Sequence, residues 1–543
     1  IVYTNRHTEG VMLFWIWTIS LVVAFGLYLR SFYTKFSRHG VKSSTPLPLF
    51  GNMLRVLLGK EHFGVNVEKA FYEFPGERFV GRYEFNAPLI LLRDLELIKK
   101  ITIKDFDHFL DHKVIIDKKS DSLFGRNLFS LKGDEWKDMR STLSPAFTSS
   151  KIRVMVPFMV EVGEQMIKSL KKNIDASNDE YIEVDVKDLT SRYATDVIAS
   201  CAFGLKVDSH ADQENEFFLK GKVAATLNFK QLIIFLGFGS FPSVLNALKV
   251  SLFSEETKSF FSNLVTSTMK NREENHIIRP DMIHLLMQAK KGKLTHGNKE
   301  GEPDADAGFA TVEESSVGKK EINREWTDDD MIAQAVIFFV AGFETVSSTM
   351  SFLLYELAVN PDVQDKLVRE IKANEEKNRG KFDYNSVQQM KYLDMVVSEL
   401  LRKWTPGVAL DRMCTKDYNL GKPNDKATED YIIRKGEGLQ IPVWAFHRNP
   451  EYFPDPLKFD PERFSAENKH KIDPFLYMPF GIGPRNCIGS RFALCEVKVM
   501  VYQILNSMEL SPSSKTLIPA QLEPGTFSLR LKGGFGLRFR IRK

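Results

Sequence analysis

The chain has 543 residues, of which 43% are hydrophobic, so it can bury a large core and is neither disordered nor collagen-like. Its 74 basic and 70 acidic residues leave a net charge of +4, which excludes the strongly basic field of a nucleic-acid-binding protein. The four cysteines form no C-x-x-C pair, which argues against a disulfide scaffold or a thiolate zinc site and fits a reducing compartment.

The first predicted element is an apolar run, residues 11–29, which contains no charge and is close to the ~20 residues of a membrane-spanning helix. A buried core helix and a cleaved signal peptide are the alternatives, although the run has no polar face and no small-residue cleavage site follows it. Basic residues follow directly, so the positive-inside rule predicts a single-pass anchor with a cytosolic body. These residues are Arg30, Lys35, Arg38 and Lys42.

Residues 30–52 are expected to form a basic, proline-containing linker, and residues 53–543 a mainly α-helical body with small β-sheets. Alternating apolar residues predict one strand hairpin at 79–92, with Asn86 near its turn. A second, closing hairpin is expected at 527–541, around two consecutive glycines.

Residues 290–325 are rich in charge and glycine, and we expect them to form a solvated, mobile loop. Thr327, followed three residues later by Asp330, predicts the start of a long helix that ends near Asn360. The first half of this helix, residues 331–343, is apolar nearly all round, so we expect it to run through the middle of the body.

The segment Phe480–Gly489, FGIGPRNCIG, carries the strongest chemical signal. A lone cysteine is usually a small buried hydrophobe. Cys487, however, follows a tight turn at Gly483-Pro484 and precedes a glycine and an apolar helix. A thiolate is favoured electrostatically at a helix start, and this is the layout that a haem-thiolate iron requires.

This segment resembles the cysteine loop F-x-x-G-x-R-x-C-x-G of the cytochrome P450 superfamily, whose fold and activity it therefore implies. Glu399-Leu-Leu-Arg402 resembles the E-x-x-R motif of that family, and Phe459–Phe464 resembles its F-x-P-E-R-F motif. Taken alone, the first pair could be a surface ion pair of little value. The resemblance implies that Glu399, Arg402 and Arg463 form a buried structural triad.

Ala341-Gly-Phe-Glu-Thr345 lies midway along the predicted long helix and resembles the A-G-x-[DE]-T motif of the family. A glycine and a back-bonding threonine at this place could also serve only as a packing kink. The resemblance implies instead that Glu344 and Thr345 relay protons while the O–O bond of dioxygen is cleaved.

Trp136-Lys-Asp-Met-Arg140 resembles the W-x-x-x-R helix of the family, although Trp136 alone could be a core aromatic. The resemblance implies that haem b is the cofactor, with Cys487 as its iron ligand and Phe480 among its contacts. Its propionates are acids that need donors, which Trp136 and Arg140 would supply together with Arg412 and Arg485.

The resemblance covers nearly the whole chain and is greatest to insect microsomal members of the clan that includes vertebrate drug-metabolising enzymes. It implies a monooxygenase that inserts one atom of O2 into lipophilic small molecules at the endoplasmic reticulum membrane. No complete G-x-G-x-x-G fingerprint occurs, so NADPH is expected to act indirectly, through NADPH–cytochrome P450 reductase. Cytochrome b5 is a second candidate donor, and the lipid bilayer is the other expected partner.

Two surfaces are predicted by position. Basic side chains near the cysteine loop are candidates for docking the reductase, or are ordinary solvated charges: Lys132, Lys137, Arg491 and Lys498. The apolar segment 229–253 is either core or a lid that dips into the membrane over the substrate channel. Part of the large excess of phenylalanine is expected in that lid and in the pocket wall. Candidate substrate contacts are Phe129, Phe338, Ala341, Val408 and Phe527.

Two other functions share part of these features. A haem-thiolate isomerase or dehydratase would need no external electrons, and Glu344-Thr345 would be superfluous in it. A non-catalytic haem or lipid carrier would need neither a proton relay nor a reductase surface. Because motifs from residue 136 to residue 489 contribute to one site, we expect one large helical domain and an anchor.

Overall fold

The computed structural model describes residues 2–114, 116–226, 229–292, 308–312, 326–380 and 382–543. It is mainly helical with small sheets, as predicted. The first helices are α1 (Val2–Tyr33), α2 (Lys35–Arg38), α3 (Leu54–Leu57), α4 (Phe63–Tyr72), α5 (Leu95–Lys99), α6 (Gly133–Leu143), α7 (Ser149–Arg153), α8 (Val156–Asp175), α9 (Val186–Ile198) and α10 (Glu216–Ala225). They are followed by α11 (Phe229–Ser240), α12 (Pro242–Ala247), α13 (Glu255–Glu274), α14 (Met282–Lys290), α15 (Asp328–Val359), α16 (Pro361–Lys377), α17 (Tyr384–Gln388), α18 (Lys391–Lys403), α19 (Val443–Arg448) and α20 (Ser490–Ser507).

Within the described residues, the strands form three separate sheets. They are β1 (Phe79–Glu84), β2 (Ala87–Leu92), β3 (Ile182–Asp185), β4 (Leu410–Met413), β5 (Tyr418–Asn419), β6 (Ile432–Ile433), β7 (Gly438–Ile441), β8 (Met508–Pro512) and β9 (Gly536–Ile541). The sheet orders are β1-β2-β7-β4, β3-β9-β8 and β5-β6. In the first sheet, β1 and β2 form the predicted hairpin, with Phe79 paired to Leu92 and Glu84 to Ala87.

The amino-terminal helix contains a candidate membrane span, Val11–Tyr33, whose most apolar window is wholly unburied. Its end is fixed to the body, because the Tyr33 hydroxyl donates to Asn86 Oδ1 at 3.0 Å in the β1–β2 turn. Helix α1 runs to Tyr33, beyond the apolar run, and α2 follows within the predicted linker. The later part of that linker, from residue 39 onward, is non-helical.

The predicted closing hairpin is wrong. Strand β9 pairs with β8 and with β3, and not with the segment that precedes it. Leu531 instead forms a bridge with Leu522. The chain then turns into β9 at Gly533 and Gly534, whose φ angles are +82° and +84°. Alternating apolar residues indicate a strand and its buried face, but they do not identify its partner.

The long helix α15 begins where the sequence predicts. Thr327 and Asp330 form a reciprocal capping box, and the 32-residue helix is about 48 Å long. It is apolar enough to cross a membrane, yet 61% of its apolar window is buried, because it packs against α9, α10, α13 and α20. The ring of Phe339 lies 5.4 Å from that of Phe217 and 5.1 Å from that of Phe261, so these three phenylalanines pack together in the core.

Most of the predicted loop at 290–325 lies outside the described residues. Residues 290–292 lie at the end of α14, and the described residues 308–312 contact the body, with Ala310 only 3% exposed. A wholly solvated loop is therefore the wrong description for these five residues.

Candidate active site

The loop that carries Cys487 is held in a tight conformation before α20. The Cys487 amide donates to the Phe480 carbonyl at 2.8 Å, and the Asn486 amide donates to Gly483 at 2.9 Å. Gly483 has a φ of +72°, and a Cβ on it would stand 2.1 Å from the Thr102 carbonyl oxygen. Only glycine fits here, because the position needs both a left-handed backbone and a close approach to the backbone of Thr102.

The Cys487 side chain is exposed, although the loop around it is packed into the body. Burial raises the pKa of the thiol, while the Gly489 amide and the nearby Arg140 lower it in part. A thiol that is exposed and yet surrounded by protein faces an internal cleft. Ala341 and Thr345, one turn apart on α15, are also exposed although the helix around them is buried. We interpret these exposed positions as facing one cleft.

One aromatic ring connects the cysteine loop to α15. Phe147 packs edge-on against Phe338 of α15, with ring centroids 5.2 Å apart. A Cβ on Gly489, two residues after Cys487, would stand 3.8 Å from the same Phe147 ring. The cysteine loop and the middle of α15 therefore lie a single phenylalanine apart at this point.

A second connection comes from α6, which carries Trp136 and Arg140. Arg140 donates to the carbonyl and side-chain oxygens of Asn486 at 2.8 and 2.7 Å, next to Cys487. The guanidinium of Arg485 lies 4.0 Å from the centroid of the Trp136 ring. Arg485 also donates to the carbonyls of Leu110 and Leu131 at 2.8 Å each. The structure thus brings three of the predicted propionate partners together beside the loop.

Arg412, on β4, belongs to the same basic cluster. Its Nη2 is 3.4 Å from the Ile482 carbonyl, and its buried Nε has no partner within the described residues. Burial and the proximity of Arg412 lower the pKa of Arg485 to about 9. Buried guanidinium groups so close together call for anionic partners beyond the carboxylates already present.

His112 is a residue of this cluster that sequence reasoning missed. Its Nδ1 lies 2.9 Å from Asp411 Oδ1, and its ring stacks on Phe129 at 4.3 Å. Burial lowers the pKa of His112, with Asp411 opposing that shift. Burial would raise the pKa of Asp411, but His112 and the Lys113 amide outweigh it and hold that pKa well below its ordinary value. No local pattern joins residues 299 positions apart, so only the fold reveals the pair.

Glu399, Arg402 and Arg463 also lie together. Arg402 binds Glu399 through two hydrogen bonds of 2.7 and 2.8 Å, and both side chains are fully buried. Arg463 lies 3.5 Å from Glu399 and is 14% exposed, so it is the weaker member. Arg402 further donates to the His447 and Pro456 carbonyls, in the segment that leads to the cysteine loop.

The two predicted proton-relay residues face different surroundings. Thr345 donates to the Ala341 carbonyl at 2.5 Å on the exposed face of α15. Glu344 is paired with Lys187 at 3.2 Å and with Arg530 at 3.4 Å, at the wall of a cavity of about 490 Å³. Burial lowers the pKa of Lys187, which Glu344 offsets in part. A relay through Glu344 would therefore have to pass these ion pairs.

Comparison with known proteins decides the family. The family model for cytochrome P450 matches residues 41–535. The chain belongs to the cytochrome P450 family. It is 42% identical to cytochrome P450 9e2 of Blattella germanica over 96% of this chain and 97% of that protein. It is also 42% identical to probable cytochrome P450 9f2 of Drosophila melanogaster, over 93% of this chain and 94% of that protein. Cytochrome P450 6k1 of Blattella germanica is 37% identical over 96% and 95% of the two chains.

Cytochromes P450 are monooxygenases that use haem b, and the described residues fit that group. The cleft offers one exposed thiol at the start of a helix, and the cation-rich cluster of arginines would suit two propionates. Among the described residues, no three His, Cys, Asp or Glu side chains gather into a metal site.

The candidate substrate contacts are spread over several elements of this P450. Phe129 stacks on His112, Phe338 packs on Phe147, and Phe527 stacks on Phe63 at 4.3 Å. Ala341 is exposed on α15, whereas Val408 is 5% exposed. Their contact with substrate stays a prediction, as do the haem contacts of Phe480 and of the arginines.

One docking prediction needs correction. Lys498 is fully buried and pairs with Asp394 at 2.9 Å, so it cannot present a charge to a partner protein. The spacing of apolar residues along α20 does not separate a buried face from an exposed one, because the helix is buried nearly all round. Lys137 is partly exposed and pairs with Asp107 at 3.0 Å, so it stays available as a candidate.

Proposed function

We propose that this P450 oxidises lipophilic small molecules with electrons derived from NADPH, and that Cys487 is its iron ligand. The observation that carries the proposal is the exposed thiol of Cys487, held on a glycine-shaped loop one phenylalanine away from the open face of α15. Haem bound there would supply the activation of dioxygen, with the thiolate donating electron density to the iron. The residues around the thiol would bind the haem, orient the substrate and exclude water from the cleft.

The assigned roles follow from the contacts. Trp136, Arg140, Arg412 and Arg485 would bind the propionates, while His112 would hold the carboxylate of Asp411 beside them. The Gly489 amide would donate to the thiolate and stabilise its charge. Thr345 would hold a proton at its hydroxyl on the exposed face of α15, and Glu344 would exchange protons with solvent through the cavity that it lines.

The membrane location rests on two separate surfaces. The anchor Val11–Tyr33 emerges next to the β1–β2 hairpin, and the connector exposes Leu47, Leu49 and Phe50. Helices α11 and α12 and the residue after them expose further apolar side chains, of which Val244 and Leu248 are 56% and 69% exposed. Exposed apolar residues at both places support a body that lies against the cytosolic face of the endoplasmic reticulum membrane. Phe238, fully buried, shows that part of this segment is core.

The experiment that tests the function combines a spectrum with turnover. The reduced carbon monoxide complex of the full chain should show the red-shifted Soret band of thiolate ligation. Oxidation of an alkoxycoumarin should then require both NADPH and added NADPH–cytochrome P450 reductase. A histidine-type band would contradict the ligand assignment, and turnover without the reductase would contradict the electron route.

Replacing Thr345 by valine keeps the shape of the side chain and removes the hydroxyl that donates to Ala341. We expect product formed per NADPH consumed to fall by roughly 100-fold, because a positioned proton donor contributes about that much. NADPH consumption should continue, with hydrogen peroxide as the other product. The measurement is the ratio of alkoxycoumarin product and peroxide to NADPH. A variant that keeps the original product yield would show that Thr345 serves only helix packing.

A further inference from the structure

A Gly-Phe element inside an acidic stretch of the chain is docked on the body. Residues 300–314 contain six acidic side chains and no basic one, and residues 308–312 lie within them. The Phe309 ring lies 5.1 Å from that of Phe464 and 5.3 Å from that of Tyr477. Its amide donates to Asp394 Oδ2 at 3.0 Å. Two rings and one carboxylate therefore form a pocket for this element.

The pocket is shaped for glycine before phenylalanine. Gly308 has a φ of +90°, and a Cβ on it would stand 2.1 Å from Asp394 Oδ1. Any other residue would meet both backbone strain and a clash with that carboxylate. The fit thus depends on two adjacent positions for two separate reasons, which a non-specific contact of a polar loop would not require.

The pocket reaches the cysteine loop from its amino-terminal side. Tyr477, which contacts Phe309, stacks on His447 at 5.5 Å. The Nε2 of His447 accepts from the Met478 amide at 3.0 Å. Phe480, two residues later, supplies the carbonyl that accepts from the Cys487 amide. The segment entering the loop is therefore packed directly behind Phe309.

The pocket also reaches the other end of the loop. Asp394 Oδ2 accepts from Phe309, and Asp394 Oδ1 is paired with the buried Lys498 at 2.9 Å. Lys498 belongs to α20, which begins immediately after the cysteine loop. The docked element therefore contacts supports of the loop on both sides of Cys487.

We propose that Gly308-Phe309 is an internal docking element that braces the loop carrying Cys487, with Phe309 as a positioning residue acting through Tyr477 and Asp394. The bracing role rests on the proposed assignment of Cys487 as iron ligand, whereas the docking does not. The pocket recognises a Gly-Phe pair, and this chain supplies that pair itself.

Hydrogen exchange of the full-length protein tests the docking. We expect Phe309→Ala, and separately Gly308→Ala, to reduce protection of the 308–312 amides by at least about tenfold, as loss of a local contact does. Phe382→Ala is the matched control, because Phe382 is a half-buried ring stacked on Tyr502 at 4.1 Å away from this pocket. Unchanged protection in both variants would overturn the docking.

The lifetime of the thiolate-type Soret band of the reduced carbon monoxide complex, at mildly elevated temperature, tests the bracing. Both variants should shorten it several-fold, and Phe382→Ala should not. A synthetic peptide of residues 304–314 should restore the lifetime of Phe309→Ala, whereas the same peptide carrying Gly308→Ala should not. Lost protection with an unchanged lifetime would overturn the bracing. If the unaltered protein shows no thiolate band, the proposed function and the bracing both fail, and hydrogen exchange alone decides the docking.

Discussion

Replacing Cys487 by serine should abolish the thiolate-type Soret band and oxidation of the alkoxycoumarin. The side chain is exposed toward the cleft, so the change alters the ligand without opening a cavity in the core. Loss of an outer partner of a metal ligand already costs about 10–100-fold in affinity or activity, so loss of the ligand itself should exceed roughly 100-fold. The loop should keep its conformation, because its hydrogen bonds come from backbone amides.

Cys414→Ser is the matched control for that variant. Cys414 is buried, and its sulfur lies 2.8 Å from the Lys416 carbonyl, to which a serine hydroxyl can donate instead. This control should keep the spectrum and the activity. Haem content, the carbon monoxide difference spectrum and alkoxycoumarin turnover are the measurements. A thiolate band that survives in Cys487→Ser, or is lost equally in Cys414→Ser, would contradict the assignment.

Local signals predicted the elements whose chemistry is local. The capping box at Thr327 and Asp330 fixed the start of α15, and alternation around Asn86 fixed the β1–β2 hairpin. The cysteine loop was recognisable because its glycines and its cysteine have requirements that short-range geometry imposes. Gly483 shows both kinds of requirement: its φ of +72° belongs to the turn, whereas the close approach to Thr102 depends on the packing of a distant segment.

Contacts between distant segments were not predictable in this way. The partner of β9, the pairing of His112 with Asp411 and the burial of Lys498 each depend on how separate elements pack. The excess of phenylalanine is a similar case, because composition does not distinguish core rings from rings of a pocket or lid. Several of the largest fully buried side chains are phenylalanines, including Phe36, Phe79, Phe203 and Phe218.

The acidic stretch shows how composition can mislead over a few residues. Its charge and glycine content predict a solvated loop, and that average hides one Gly-Phe pair. A single phenylalanine among acids is a weak signal, because exposed apolar residues are common on protein surfaces. The complementary pocket, formed by Phe464, Tyr477 and Asp394, appears only when the segments that supply it are folded together.

Replacing Arg402 by methionine should lower the free energy of unfolding by about 3–5 kcal/mol, because it leaves the fully buried Glu399 with only the weaker pair to Arg463. The double variant Glu399→Met with Arg402→Met should be less destabilised than the single one, because it removes the uncompensated charge as well. Arg463→Ala should cost less than Arg402→Met, since Arg463 is more distant from Glu399 and partly exposed. Arg434→Ala is the control, because its pair with Asp417 is well exposed and should contribute no more than about 1 kcal/mol. Urea denaturation at fixed haem loading measures these differences, and equal losses in the Arg402 and Arg434 variants would contradict a buried structural lock behind the cysteine loop.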